Sequence, residues 1–532
     1  MTFFPFADGL PPTLLALPVA LPMLAAALLL AFARIGRNRH VQSQRWVATI
    51  TAALVLGFNL LLLRETASGA RIVFQMGHWP APFGITLFAD GLTAIMLASA
   101  ALLTLLTIPY AAGTMDLHRE SMGFYPLVLF LLMGVNGAFL TGDFFNLYVF
   151  FEVLLMASFV LMTLGGTPGQ INGGIRYVVL NLMASTLFLT AAGIAYGTLG
   201  TLNMAHMAER LAGAPDSLKW LLAGLMLIAF GSKASFFPLF FWLPASYHTP
   251  HPAVTALFGG ILTKVGVYTL FRLYPLLFPD LLTQWQPLLL TVSALTMIVG
   301  VLGAFAQPTI RRLLSFHIIS QVGYMLMGLA IVADPTGYGV GFALAAAILF
   351  MVHNMLVKTA LMMGGGVAEI EMGSGNLGTI GGLAQRRPFL AVLFFIAAFS
   401  LAGIPPSSGF VGKLGLLQVG LDTHQYTIAA VSLVVSLLTL MSMIRLWQYT
   451  FWGKFSEGTA RWSPLLKPNA GWLAVGPVAV LVALSLGMGI FFQPALRIAT
   501  TAARQVMDRE GTIAAVAPLR AIPDTPSLWV AP

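Results

Sequence analysis

The stretch FGSKASFFPLFFWLP, residues 230–244, decides how the rest of the chain is read. Lys233 stands among phenylalanine, leucine and tryptophan suited to hydrocarbon, and Pro238 and Pro244 follow it. A protonated lysine at the centre of a bilayer helix costs roughly 2.5–3.5 kcal/mol on insertion scales. Pro238 cannot donate to the carbonyl of Ala234, so the stretch predicts a membrane helix broken beside a buried charge.

Composition agrees with a membrane setting. The chain has 532 residues, 58% hydrophobic and 8% charged, with a mean hydropathy of +0.88; a soluble domain carries about 25% charged residues. The formal charge of +9 is scattered through short connections, and without a basic stripe no nucleic-acid partner is expected. The absence of cysteine excludes cysteine-ligated iron–sulfur clusters, c-type haem attachment and disulfides. Of the nine histidines, only His317 and His353 fall within expected spans, and neither a metal site nor a redox cofactor is implied. The first apolar segment, Thr13 to Ala33, lacks a positive leader and reads as a retained helix.

About 20 apolar residues cross the hydrocarbon core. On that basis an all-α polytopic membrane protein is expected, with fourteen transmembrane helices near 13–33, 46–63, 85–110, 122–141, 143–165, 173–199, 218–245, 253–275, 285–306, 311–333, 338–364, 388–421, 426–451 and 471–493. Odd-numbered connections hold thirteen Lys or Arg (among them Arg45, Arg119, Arg311 and Arg387), and even-numbered ones five: Arg64, Arg71, Arg210, Lys219 and Arg272. The positive-inside rule then puts both termini outside, against a mild counter-signal from four arginines after Phe492. The tail is expected to begin as a surface helix and to lose order after Val516. The connection 200–217 is expected to lie along the membrane surface.

Four of the seven lysines, Lys233, Lys264, Lys358 and Lys413, lie within spans, with Glu152 as the one mid-span acid. Arg445 is expected to snorkel to an interface; Asp90 and Asp143 stand at helix starts, where a carboxylate suits the dipole. One lysine alone could be half of a structural ion pair; four facing one carboxylate cannot all be paired. Lysine changes protonation on burial, whereas arginine stays charged, so the selection of lysine points to a proton relay. His353 neighbours Asn354 and Lys358 in helix eleven, about 140° round from Lys358. His317 is a second candidate, nearer a helix end. Pro405 and Pro406 free the carbonyls of Leu401 and Ala402 upstream of Lys413. Breaks in helices seven and twelve, five spans apart, point to an inverted repeat. The phrase GFVGKLG (409–415) lacks the spacing and hydroxyl of a phosphate loop.

Three stretches carry a resemblance: FNLYVFFEVLLMASFVL (145–161), GSKASFFPLFFWLPASYHTPHPAVTALFGGILTKVGVYTLFRLYP (231–275) and AGIPPSSGFVGKLGLL (402–417). Together they resemble the D subunit of Mrp-type multisubunit cation/proton antiporters, related to the antiporter-like subunits of respiratory complex I. The resemblance implies two inverted five-helix repeats, helices four to eight (122–275) and nine to thirteen (285–452). Three N-terminal helices (1–121) precede them, and helix fourteen with a tail (471–532) follows. It implies Glu152 and Lys233 as a key pair, Lys264 as the connecting lysine, and His353, Lys358 and Lys413 as its extension. It also implies partner subunits, Na⁺ or K⁺ exchanged for protons across the cytoplasmic membrane, and no redox cofactor or enzyme activity of its own. A proton-pumping subunit of a complex I-like NADH/quinone or membrane hydrogenase assembly is the alternative. Where the family often reads Pro-Pro this chain has Pro250-His251-Pro252, which leaves open whether His251 is a proton-uptake group.

Overall fold

A computed structural model describes residues 10–32, 40–331, 340–453 and 471–518. Its helices, in chain order, are α1 (Leu17–Phe32), α2 (His40–Ala67), α3 (Gly91–Thr114), α4 (Leu117–Ser121), α5 (Phe124–Leu140), α6 (Phe144–Thr163), α7 (Pro168–Leu199), α8 (Met204–Ala212), α9 (Asp216–Ala234), α10 (Trp242–Ser246) and α11 (Pro252–Leu277). They continue with α12 (Pro279–Gln284), α13 (Gln286–Phe305), α14 (Ile310–Ile331), α15 (Val340–Met372), α16 (Leu383–Arg386), α17 (Pro388–Ala402), α18 (Ser408–Asp422), α19 (Tyr426–Phe451), α20 (Gly471–Ile490), α21 (Phe492–Met507) and α22 (Arg509–Val516). Among the described residues, twelve helical stretches are long and apolar enough to cross a membrane. The shorter α5 and the broken pair α17–α18 occupy the two remaining places of the expected fourteen.

Burial sorts these helices. Among the twelve long apolar helices, α11 is buried along its whole length, α14 and α15 almost so, and α3 for most of its length, while each of the other eight has fewer than half of the residues of its most apolar stretch buried. A helix apolar all round needs neighbours on every side, and these four form the centre. Three of them carry Lys264, His317, His353 and Lys358, so those polar groups face protein rather than lipid. At 33 residues, α15 is about 50 Å long, more than the roughly 30 Å core. Its far end extends past the expected residue 364, and there Glu369 pairs with Arg311 and Glu371 with Arg387.

Both expected breaks are present and similarly built. α9 ends at Ala234 with Ser235 in the left-handed region (φ 64°), its N–H returning to Gly231 and Ser232. α17 ends at Ala402 with Gly403 at φ 92°, its N–H returning to Phe399 and Ser400. Prolines follow within three residues in both, so neither helix can resume at once. After the first break only the short α10 forms, and Trp242 Nε1 caps the Ser232 carbonyl at 2.9 Å.

The expected helix from residue 85 is a correction. Thr86–Ala89 is strand β2, antiparallel to β1 (Ile72–Gln75), with Ile72 opposite Ala89 and Phe74 opposite Leu87. The helix starts only at Gly91 because the Asp90 side chain accepts from the Thr93 N–H and caps it. The connection 200–217 holds the amphipathic α8, capped by Asn203, and the tail begins as α21 and α22. From residue 519 onward, and for Arg34, Arg37, Arg39, Lys454, Arg461 and Lys467, the expectations fall outside the described residues.

Candidate functional site

Each intramembrane lysine ends on a neutral oxygen. Lys233 Nζ donates to Ser185 Oγ of α7 at 3.1 Å and lies 5.0 Å from the ring centre of Phe151. Lys264 Nζ donates to the Gly259 carbonyl at 2.7 Å. Lys358 Nζ reaches the Leu314 carbonyl at 3.4 Å. Lys413 Nζ donates to the Ala402 carbonyl at 3.0 Å and sits 4.7 Å above the Tyr324 ring. Lys264 and Lys358 are fully buried, Lys233 and Lys413 nearly so. None of the four forms an ion pair among the described residues. A buried ammonium without a counter-ion is costly, which makes neutral amines accessible.

Glu152 of α6 lies outside this buried line. It is half-buried, at a groove between α5 and α6 lined by Leu127, Phe130, Tyr148 and Met156. Its Oε1 is buried without a hydrogen-bond partner. It does not close an ion pair with Lys233, although it is within electrostatic reach of it.

Helix packing orders the line. A Cβ at Gly266 would collide with the backbone of Lys233 and Ala234, so glycine there lets α11 press on the end of α9 beside Lys264. On its other side α11 meets α15, where Thr359 Oγ1 reaches the Ala256 carbonyl. Lys358 lies within electrostatic reach of both Lys264 and Lys413, and His317 and His353 within reach of Lys358 and Lys413. The structure therefore brings Lys264, Lys358, Lys413, His317 and His353 together, with Lys233 and Glu152 at one end.

On the three helices that carry most of this line, several buried polar atoms have no protein partner. They are Thr263 Oγ1, His317 Nδ1, Ser320 Oγ, both amide atoms of Gln321, His353 Nε2 and both amide atoms of Asn354. His317 Nε2 contacts Ser442 Oγ at 2.9 Å and His353 Nδ1 contacts Ser408 Oγ at 2.8 Å, so each ring keeps one nitrogen for the line. An unsatisfied buried polar atom costs about 1–3 kcal/mol; so many in succession favour water. Sequence reading missed Gln321 and Ser185, although a glutamine inside the apolar run of α14 was a usable signal.

Three arginine–carboxylate pairs flank the line. Arg272, expected in a connection, is instead buried inside α11. It grips Asp90 with two bonds of 2.6 and 2.7 Å and also reaches Thr93 Oγ1 at 3.0 Å. At the arginine-rich end, Arg45 binds Glu120 at 2.6 and 2.8 Å, and Tyr125 donates to the same carboxylate at 2.5 Å. Arg311 holds Glu369 at 2.5 Å and donates to the Pro250 carbonyl. A cavity of about 1010 Å³ opens there, lined by Arg45, Asp116, Glu120, His251, Arg311 and Glu369 among others. Burial, with Arg311 nearby, holds the His251 imidazole down to about 3. Its Nδ1 accepts from the Ala253 N–H at 3.2 Å, and its Nε2 lies 3.3 Å from the Thr114 carbonyl. Through the Ala253 contact it caps the start of α11. Arg445, expected to snorkel, donates to the Phe305 carbonyl at 2.6 Å.

The family described as NADH:quinone oxidoreductase/Mrp antiporter, TM, matches residues 141–439. The Na(+)/H(+) antiporter D subunit of Alkalihalophilus pseudofirmus is 40% identical over 498 residues, covering 93% of this chain and 97% of that protein. The Bacillus subtilis protein of the same name is 37% identical over 474 residues, 89% of this chain and 93% of that one. A chain of the Mrp complex from Dietzia sp. DQ12-45-1b superposes with a TM-score of 0.86 at 33% identity, covering 95% of this chain and 99% of that chain. A chain of respiratory complex I from Thermus thermophilus superposes with a TM-score of 0.76 at 25% identity, covering 92% and 99%.

Proposed function

Because the chain belongs to the NADH:quinone oxidoreductase/Mrp antiporter transmembrane family, we propose that it is the proton-translocating membrane subunit of a multisubunit monovalent cation/proton antiporter. It works in the cytoplasmic membrane with both termini outside, alongside the other subunits of an Mrp-type complex, which exchanges Na⁺ or K⁺ for protons. It is a secondary transporter subunit rather than an enzyme. The observation that carries this reading is the line of four buried lysines, each on a neutral oxygen and none on a carboxylate.

Protons pass along Lys233, Lys264, Lys358 and Lys413, with His353 and His317 between the last two and water on the unpartnered polar atoms. Each amine can accept a proton because burial offsets its affinity, and can pass it on because no fixed anion holds it. Glu152 biases the first step: its carboxylate stabilises the ammonium of Lys233 when near and ceases to when moved away. The two breaks leave backbone carbonyls outside the helical ladder at either end, in inverted repeats spanning 122–275 and 285–452. The cation path draws on partner subunits, since hard cations favour several oxygen ligands and no group of three or more metal-ligating side chains occurs among the described residues.

The complex I-like alternative predicts a quinone- or NADH-linked assembly; among the superposed structures, the higher identity to the Mrp complex chain, 33% against 25% for the complex I chain, favours the antiporter. The test is copurification of the native complex followed by ΔpH assays in everted vesicles from a strain lacking its own antiporters. Na⁺- or K⁺-dependent ΔpH collapse by the complex, and none by the chain alone, is expected. Redox-driven acidification without cation exchange would favour the alternative, and exchange by the isolated chain would remove the need for partners.

A further inference from the structure

His353 continues sideways into a hydroxyl chain that the lysine line does not use. His353 Nδ1 contacts Ser408 Oγ at 2.8 Å, Ser408 Oγ contacts Ser485 Oγ at 2.8 Å, and Ser485 Oγ contacts Ser400 Oγ at 2.9 Å. All three serines are buried. They come from three helices: Ser400 precedes the second break, Ser408 follows it, and Ser485 belongs to α20, outside both proposed repeats. Close backbone approach holds them in register. A Cβ at Gly409 would collide with the Ser400 carbonyl and the His353 ring. A Cβ at Gly489, one turn beyond Ser485, would collide with the backbone of Pro406 and Ser407.

The two nitrogens of His353 thus differ in kind: Nδ1 is hydrogen-bonded, whereas Nε2 is buried without a partner. An orphaned N–H is rarer than an under-used acceptor, and the hydrogen bond on one ring nitrogen sets the state of the other. With Ser408 Oγ as the acceptor, the contacts run from Nδ1–H through Ser408 and Ser485 to Ser400, and this polarity leaves Nε2 as the lone pair.

We propose that the Ser408–Ser485–Ser400 hydroxyl chain holds the Nδ1 proton of His353, so that Nε2 alone exchanges protons with the lysine line, and that Ser485 is the positioning residue through which α20 enforces this. Uptake at Nε2 makes the imidazolium and release from Nε2 restores the neutral ring, with the Nδ1 proton retained throughout. α20 thereby acts on proton transfer through His353. This rests on the relay reading of His353.

The experiment uses the full complex with isotopically labelled histidine. Solid-state NMR records the His353 ring nitrogens, assigned by their loss in His353→Gln, and vesicle assays record exchange. Ser485→Ala should shift the His353 nitrogen resonances toward mixed tautomers and slow exchange about three- to tenfold, the effect of one hydrogen bond. Ser485→Thr, which keeps the hydroxyl, should restore both. Ser400→Ala, at the far end of the chain, should shift the same resonances less; it serves if Ser485→Ala does not assemble. Unmoved His353 resonances in an assembled variant, with exchange lost in His353→Gln, overturn the positioning role and leave the relay standing. Full exchange by His353→Gln overturns both.

Discussion

Lys413 donates to the carbonyl of Ala402, 3.0 Å away and eleven residues earlier in the chain. The contact joins the two halves of a broken helix. Pro405 and Pro406 leave that carbonyl outside the helical ladder, and the ammonium fills the place of the missing N–H. An unsatisfied carbonyl in hydrocarbon is expensive, and so is an unpaired ammonium; here each reduces the other's cost. The proton on Lys413 is thereby tied to the shape of the break. Losing it weakens the bond to Ala402, because a neutral amine donates less strongly than an ammonium, and moving the break removes an acceptor from Lys413.

Lys413→Ala should therefore reduce exchange by on the order of a hundredfold, the scale of a lost proton-transfer group, with the complex still assembled. Lys413→Arg should fail as well, because a guanidinium does not release its proton. Vesicle ΔpH assays with native gels as the assembly control decide this. Wild-type exchange in Lys413→Arg would assign the residue a fixed-charge role.

Asp143 gives a pH prediction for stability. Burial raises its carboxyl from the usual value to about 6, against the hydrogen bonds it accepts at the start of α6. Between the unfolded value near 3.8 and about 6 the folded state holds the extra proton, so stability from this group falls as pH rises through that window. Asn caps a helix as well as Asp does and carries no charge. Asp143→Asn should raise the melting temperature of the complex at pH 8 and leave it nearly unchanged at pH 4. An equal gain at both pH values would show that charge is not the cause.

The Asp90–Arg272 pair joins α3 to α11 in the buried centre. Removing one partner of a buried pair costs about 3–5 kcal/mol, whereas replacing both by apolar groups is often neutral. Arg272→Met should sharply lower the amount of folded protein, and Asp90→Leu with Arg272→Met should recover much of it. Detergent-resistant yield by fluorescence-detected chromatography measures this. A double variant worse than either single would mean that the charges act in transport or with a partner subunit.

The sequence made some features legible and concealed others, for physical reasons. Hydrophobic run length marks spans, so the crossings and both breaks could be read, since proline acts on its own helix. The hairpin before α3 could not, because β2 is as apolar as a helix start and only the cap at Asp90 separates them. Arg272 reads as a connection residue because charge near a span end suggests an interface; its partner lies 182 positions away. The lysines were legible because charge is conspicuous in an apolar run. Ser400, Ser408 and Ser485 were not, since membrane helices tolerate serine and only the packing of three helices reveals what each faces.

Lys233 and Glu152 bear the last prediction. In the structure the lysine rests on Ser185 and above the face of Phe151, beside Glu152 in sequence, while the carboxylate keeps an unpartnered oxygen at the α5–α6 groove. The pair is open rather than closed, so the charge of Lys233 is supported across a gap that a shift of α6 or α9 can change. One pKa unit is worth about 1.4 kcal/mol, and buried lysines shift by up to roughly 3–5 units, so a displacement of a few ångström suffices for a proton-moving step. Glu152→Gln removes the support and should stop turnover with assembly intact; Lys233→Ala should stop it too. The double variant should be no worse than either single, because the two groups act as one unit. Ser185→Ala, which removes the neutral rest position, should slow exchange only about fivefold, as expected for one hydrogen bond. Initial rates of ΔpH collapse in vesicles, normalised to assembled complex, give all four values. Normal exchange in Glu152→Gln would refute the switch, and loss of assembly in both single variants would make the pair structural.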